Sequence, residues 1–137
     1  MRLYLKNIFT TLLFSFALCT TIQASNKGEK TIYAFVYGTC FNDSTVYISA
    51  IERIANAETE SKTGFLVNRS DYANALKKYL DQKYKKPHTC TVFYATKRDK
   101  IEKKYVKIRH VANRDKHCKL VEIPMTDFKL THPNTEQ

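Results

Sequence analysis

Residues 31–52, TIYAFVYGTCFNDSTVYISAIE, decide how this chain folds. The segments 31–39 and 45–52 are rich in β-branched and aromatic residues, which favour strands. Between them lies the segment 40–44, which contains the turn formers Asn, Asp and Ser. The stretch therefore predicts a β-hairpin with a loop of about five residues.

Further along the chain, the hydrophobic pattern predicts two helices and two more strands. The polar segment 55–69 lacks a clean period, so it is interpreted as a connection that can hold a brief extra strand at 65–67. Apolar residues then recur at spacings of three and four, which is typical of amphipathic helices. The elements predicted after this connection are a helix from the N-cap Ser70 to the stop at 85–87, a strand at 89–96, a helix at 98–113 and a strand at 118–123.

This order of elements, β-β-α-β-α-β, predicts an α/β (α+β) fold. Two successive strand–helix–strand units cross over in the right-handed sense, and both helices fall on one face if both crossovers run in the same direction. We therefore predict a two-layer sandwich with a four-stranded mixed sheet in the order 2-1-3-4. The second, third and fourth strands should run parallel to one another, with the first strand against them.

The N-terminal residues have the pattern of a secretory signal peptide. Arg2 and Lys6 precede an apolar run at 8–18, and small residues lead to an expected cleavage site near Ala24. The apolar run is about half of the roughly 20 residues that a transmembrane helix needs. The pattern predicts export to the periplasm or the extracellular space, with a signal peptide at 1–24.

The remainder, 25–137, has the length of a single small α/β domain and ends in a polar tail. The whole chain carries a formal net charge of +10, and removal of the leader takes away only two positive charges. Such a surplus favours anionic partners: nucleic acid, acidic glycans or phosphate-rich envelope surfaces. We predict an anionic envelope polymer or a protein as the partner. Export disfavours a sequence-specific role on nucleic acid.

Three cysteines follow the leader: Cys40, Cys90 and Cys118. The predicted topology brings them to one end of the sheet, near His88 and His117. An oxidising compartment favours a disulfide, either Cys90–Cys118 or Cys40–Cys90. Unpaired buried thiols and a zinc site are the alternatives, although the spacing of these residues matches no recognised zinc pattern.

Two sets of residues are candidates for ligand binding. Alternation along the first strand puts Tyr33, Phe35 and Tyr37 on one side, which would be the sheet face without helices. Uncovered aromatic rings can stack on sugars or bases, or contact a protein, although these rings could instead belong to the core. The second set lies on the predicted second helix, away from its apolar side, and consists of Lys100, Lys103, Lys104 and Lys107.

These lysines could bind anionic polymers with a salt-dependent affinity, or they could simply form a solvated helix face. The sequence has no Gly-rich phosphate loop, no G-x-S-x-G and no H-E-x-x-H. We therefore predict a non-enzymatic binding or interaction module without a cofactor. The alternatives are a secreted enzyme with a Cys/His site at the end of the sheet, and a structural subunit of an envelope assembly.

Three motifs carry a resemblance that covers most of the chain after the leader. They are YGTCFNDS at 37–44, KTGFL at 62–66 and RSDY at 69–72. With these motifs, the chain resembles small exported proteins of Bacteroides-type bacteria. The resemblance implies a location in a Gram-negative envelope and implies no active site.

Overall fold

The computed structural model describes residues 28–131 of the chain. The predicted signal peptide at 1–24 and the final residues, 132–137, lie outside this described part. The elements are β1 (Gly28–Cys40), β2 (Thr45–Ser49), β3 (Glu52–Thr59), α1 (Arg69–Tyr84), β4 (His88–Ala95), α2 (Arg98–Arg114) and β5 (Lys119–Ile123).

The predicted hairpin is confirmed. β1 and β2 pair antiparallel, with Tyr37 opposite Ile48. The intervening turn is held by Asp43, whose Oδ1 accepts a hydrogen bond of 2.9 Å from the backbone N–H of Thr45. This bond to the charged form is the main reason why the pKa of Asp43 is lowered to about 2, and Lys86 lowers it further.

The sheet has five strands, and the prediction of four is wrong because the second half of the hairpin divides. β2 and β3 both pair with the same edge of β1, and they are separated by two residues at 50–51. At this break the N–H of Val36 donates to the hydroxyl Oγ of Ser49, at 2.9 Å. A side-chain acceptor here replaces the regular backbone ladder, and β3 continues into the segment that the sequence indicated as a connection.

The predicted strand directions are confirmed, but the predicted order 2-1-3-4 is wrong for the last strand. β4 pairs antiparallel with the free edge of β1, as expected. β5 pairs parallel with β2, at the opposite side of the sheet from β4. The spatial order is therefore β4, then β1, then β2 and β3 together, then β5.

The position of β5 also corrects the prediction of two helices on one face. The β3–α1–β4 crossover passes over β1 in one direction, and the β4–α2–β5 crossover returns across β1 in the other. Right-handed crossovers in opposite directions place their helices on opposite faces of a sheet. The α/β (α+β) class stands, but the molecule has three layers, with the sheet between α1 and α2.

The face under α1 is closely filled. Ile32, Ala34 and Val36 point from β1 into one cluster with Leu76 and Leu80 of α1, and all five side chains are fully buried. Helix and strand approach so closely at Gly38 that a Cβ atom there would lie 2.9 Å from Leu80 Cδ1. A larger residue at this position would require the Leu80 side chain to shift.

The C-terminal tail completes the α1 face. Leu130 is buried in the same cluster, and its N–H donates a 2.6 Å hydrogen bond to Oε1 of the buried Glu52. Burial is the main cause that raises the pKa of Glu52, which the hydrogen bond from Leu130 partly opposes. The tail, which the sequence indicated to be polar, therefore contributes to the core.

The face under α2 is built from aromatic rings. Phe35 is fully buried, and its ring centroid lies 5.0 Å from that of Tyr105 of α2 in an edge-to-face arrangement. Tyr33 packs against the same cluster, which also contains Ile101 of α2. The prediction that the aromatic row lies on an uncovered face is therefore wrong, because α2 covers that face. Within residues 28–131, neither helix combines the length and apolarity needed to cross a membrane.

Candidate functional site

A groove of about 430 Å³ opens on the α2 side of the sheet, near the end where the hairpin turns. Its floor comes from β1, β2 and β4, its roof from the C-terminal half of α2, and its end wall from the segment between α2 and β5. The residues that line it are Tyr37, Val46, Phe93, Lys104, Lys107, Ile108, Val111, Ala112, Asp115 and Cys118.

The groove exists because α2 packs closely at one end only. Ile101, in the first turns of the helix, is 2% exposed against the sheet. Farther along, Ala112 faces the sheet with only a methyl group, while Val111 is 59% exposed. Small side chains at this end leave a volume between helix and sheet that no side chain of the described residues fills.

Two aromatic rings form the floor of the groove. The ring centroids of Tyr37 and Phe93 are 6.4 Å apart, with the planes nearly perpendicular. Such rings offer an apolar surface for a flat ligand group, and the tyrosine adds a hydroxyl that can donate a hydrogen bond. Volumes of roughly 300–1,000 Å³ are typical of small-molecule sites, and this groove lies within that range.

Two lysines stand at the rim of the groove. The Nζ atom of Lys104 lies 5.1 Å from the centroid of the Phe93 ring, and Lys107 lies one turn farther along α2. In the described range 28–131, no carboxylate forms an ion pair with either lysine. The acids that do pair with α2 contact its arginines instead: Glu102 with Arg98 and Glu122 with Arg109.

Besides the lysines, the groove carries the Cys118 thiol, the Tyr37 hydroxyl and the Asp115 carboxylate. Burial, followed by the charge of Asp115, raises the pKa of the Cys118 thiol. Burial is also the main cause that raises the pKa of Tyr37. Asp115 itself accepts backbone hydrogen bonds from the loop before β5, including one of 2.9 Å from the N–H of His117. The groove therefore combines two lysine cations, one turn carboxylate and neutral donors on an apolar floor.

The structure brings together only some of the residues predicted to bind a ligand. Tyr37, Lys104 and Lys107 all line the groove. Phe35 lies in the core beneath α2, and Tyr33 is half-buried against the same cluster. On the exposed side of α2, Lys103 borders a shallow hollow with Val106 and His110, and Lys100 lines neither depression.

The sequence analysis assigned Phe93 and Val111 to no site, and it assigned Cys118 to a possible disulfide and not to a ligand groove. Alternation along β4 places Phe93 beside Phe35, on the same face of the sheet. Assigning α2 to that face would therefore have identified Phe93 as a residue of the groove. Val111 and Ala112 follow the apolar period of the helix. The position of Cys118 and the face on which α2 lies both depend on where β5 pairs, which the sequence did not reveal.

The three cysteines lie at the same end of the sheet, as predicted, but they are all free. The predicted disulfide is therefore absent from the described residues. Cys118 lines the groove on the α2 side, whereas Cys90 packs into the cluster on the α1 side. The register places Cys90 opposite Gly38 and Cys40 opposite His88, so Cys40 and Cys90 are diagonal neighbours on adjacent strands. Residues 28–131 contain no group of three or more metal-ligating side chains that could hold an ion.

Among residues 28–131, no hydrogen bond joins a cysteine thiol to a histidine ring. The buried His88 donates from Nδ1 to Oδ1 of Asp81 at 2.9 Å, and its Nε2 contacts no hydrogen-bonding partner among the described residues. Burial, and then the charge of Asp81, raises the pKa of Cys90 to about 11. A reactive thiol needs the opposite shift. His88 and Asp81 instead fix the start of β4 against α1, because Asp81 also accepts from the backbone N–H of His88 at 2.8 Å.

Comparison with known proteins finds no matching family model, no similar curated protein and no similar solved structure. The chemistry of the groove must therefore be inferred from its own side chains.

Proposed function

We propose that this protein is a small exported binding module, and that the groove under α2 is its ligand site. The observation that carries the proposal is the position of Lys104 and Lys107 above the aromatic floor formed by Tyr37 and Phe93. Neither lysine pairs with a carboxylate among residues 28–131, and such cations next to apolar rings are suited to a ligand that has both a flat apolar surface and negative charge.

An acidic glycan is the ligand class that fits best. The apolar faces of sugar rings can lie on Tyr37 and Phe93, while a carboxylate or sulfate group can contact the two lysines. The signal-peptide pattern supports this ligand class, because an exported protein would meet the acidic polysaccharides that are abundant at cell envelopes and in extracellular matrices. Export itself is tested by the mass of the purified native product, which should begin close to Ser25.

Binding to acidic oligosaccharides tests the groove. We expect short oligomers of galacturonic acid to bind the protein, and neutral glucose oligomers of the same length to bind at least tenfold more weakly. Affinity should fall as salt concentration rises, since the lysines supply part of the binding free energy through charge. Isothermal titration calorimetry at two salt concentrations measures both effects.

A matched pair of variants separates the groove from the general positive charge of α2. The double variant Lys104→Gln, Lys107→Gln removes two charges at the rim of the groove, and Lys100→Gln, Lys103→Gln removes two charges from the same helix outside it. The first should weaken binding by roughly tenfold or more, at about 1 kcal/mol per contact. The second should have a much smaller effect. Equal losses would contradict a defined site and would indicate a diffuse electrostatic surface.

A further inference from the structure

The free edge of β4 is a second feature that points to a partner. β4 pairs with β1 along its whole length, from Cys40 opposite His88 to Tyr33 opposite Ala95, without a shift in register. No other strand in the described part of the chain pairs with β4. One side of this strand therefore carries backbone groups that are not used within the sheet.

The register identifies those backbone groups. The N–H of Val36 points toward β2, where it donates to Ser49. In an antiparallel ladder the N–H and C=O groups of successive residues point to opposite sides of the strand. The odd-numbered residues of β1 therefore bond to β4, where their partners are also odd-numbered. The even-numbered residues of β4 consequently point their N–H and C=O groups outward. The first of these donors, His88, is already bonded to Asp81, which leaves Cys90, Val92 and Tyr94.

The other edges of the sheet are protected by devices that β4 lacks. β5 is only five residues long and carries Lys119 and Glu122, the latter bonded to Arg109. β3 is irregular, with a shift in its register with β1, and its end bonds to the loop that contains Leu66. Charges, short strands and bulges are the usual means of preventing unwanted strand pairing. In contrast, residues 89–95 are uncharged, regular and free of proline.

Charges surround this edge without lying on it. Lys85 precedes β4 and Lys97 follows it, and neither pairs with a carboxylate among the described residues, whereas Lys86 pairs with Asp43 and Arg98 with Glu102. Lys104 of α2 lies over Phe93. Two copies paired antiparallel about Val92 would bring the Lys85 end of one strand toward the Lys97 end of the other. Like charges that meet in this way oppose self-association. The same arrangement attracts a strand with acidic residues at its ends.

We propose that β4 is a docking edge for an extended segment of a partner protein, with acidic residues flanking an uncharged centre. The segment adds a sixth strand to the sheet, in the mode known as β-augmentation. Main-chain hydrogen bonds with Cys90, Val92 and Tyr94 supply affinity, and the surrounding lysines select the acidic flanks. This site is distinct from the groove, although Phe93 borders both.

Synthetic peptides about as long as β4 test the proposal on the whole purified protein, with fluorescence anisotropy as the readout. The probe has alternating threonine and valine in the centre and glutamates at both ends. We expect it to bind at least tenfold more tightly than the same peptide with lysine ends. N-methylation of alternate backbone nitrogens in the register that faces β4 should also weaken binding by roughly tenfold, since each lost hydrogen bond contributes about 1 kcal/mol.

A variant of the protein provides the reciprocal test. Val92→Pro removes an outward N–H, and proline is tolerated on an edge strand where the N–H faces solvent. Val92→Ala removes most of the side chain but retains the N–H, so it is the matched control. We expect the proline variant to lose at least fivefold in affinity for the glutamate peptide relative to the alanine variant, with circular dichroism showing an unchanged fold.

Three results would overturn the proposal. One is equal binding of the methylated and unmethylated peptides to the wild-type protein, which does not depend on any variant folding. Another is a concentration-dependent dimer in sedimentation experiments that Val92→Pro abolishes, since the occupant would then be a second copy. The third concerns two variants together. If the double variant Lys104→Gln, Lys107→Gln abolishes peptide binding and Val92→Pro leaves it unchanged, the peptide occupies the groove and not the edge of β4. Failure of the acidic oligosaccharides to bind leaves this proposal intact.

Discussion

The two faces of β1 come from alternate residues of one strand, yet they are completed differently. The even-numbered side, Ile32 to Val36, meets α1 and the buried tail residue Leu130. The odd-numbered side meets α2, which packs closely at Phe35 and leaves the groove at Tyr37. The difference shows that the residues under α1 serve to stabilise the fold. The α2 face also contains an open groove and lysines that do not contribute to the packing.

The largest expected effect is a loss of stability from truncation on the α1 face. Leu76→Ala removes a fully buried side chain and should lower the free energy of unfolding by about 2–5 kcal/mol. Val111→Ala at the groove, where the side chain is mostly exposed, should change it by less than about 0.5 kcal/mol. Urea denaturation of both variants measures the contrast. Similar losses would show that the two faces are equally packed.

A glycine substitution tests how closely α1 approaches the sheet. Gly38→Ala introduces a Cβ atom 2.9 Å from Leu80 Cδ1 and 3.1 Å from Cys90 Sγ, and it should cost about 1–3 kcal/mol by overpacking. The cost should be smaller when Leu80→Ala is already present, because the clashing methyl group is gone. A double-mutant cycle measures this coupling. Additive effects would contradict the close contact.

A smaller effect concerns pH and the closure of the α1 face by the tail. Burial raises the pKa of Glu52 in the folded state above the ordinary value of 4.5, so the folded protein retains this proton more strongly than the unfolded chain. Stability should therefore decrease as pH rises from about 4.5 through the raised pKa. Glu52→Gln keeps an acceptor for the Leu130 N–H and should flatten this part of the profile. Thermal unfolding from pH 4 to pH 7 provides the measurement, and an unchanged slope in the variant would contradict the role of Glu52.

The smallest effect on stability is expected at the rim of the groove. Lys104→Gln, Lys107→Gln and Lys100→Gln, Lys103→Gln should each leave the free energy of unfolding within about 0.5 kcal/mol of the wild-type value. These lysines form no ion pairs with the residues that the structure describes, so their removal breaks no bond that supports the fold. A large loss in either variant, measured by urea denaturation, would show that the lysines stabilise α2.

Local patterns in the sequence were sufficient for most of the secondary structure. Alternation and turn residues predicted the hairpin, and the recurrence of Leu76 and Leu80 predicted α1, although the helix begins at Arg69 and not after an N-cap at Ser70. The division of the second strand at 50–51 was missed, because it depends on a tertiary hydrogen bond from Val36 to Ser49.

The arrangement of the layers could not be read from the same patterns. The apolar residues of β5 could be buried equally well beside β4 or beside β2. The position that β5 takes decides on which face of the sheet α2 lies. One local signal was available: the nearly continuous apolar run from Ile32 to Tyr37 is typical of a strand that is buried on both faces. The candidate lysines were identified, but the groove beneath them depends on the position of β5.

The central proposal is that the groove on the α2 face binds the ligand. A titration with a galacturonic acid oligomer, followed by two-dimensional NMR of the labelled protein, tests it most directly. We predict saturable shift changes that cluster at Tyr37, Phe93, Lys104 and Cys118, with the signals of Leu76 and Leu80 unmoved. Changes spread over the exposed lysines of both helices, or centred on the α1 face, would contradict the claim.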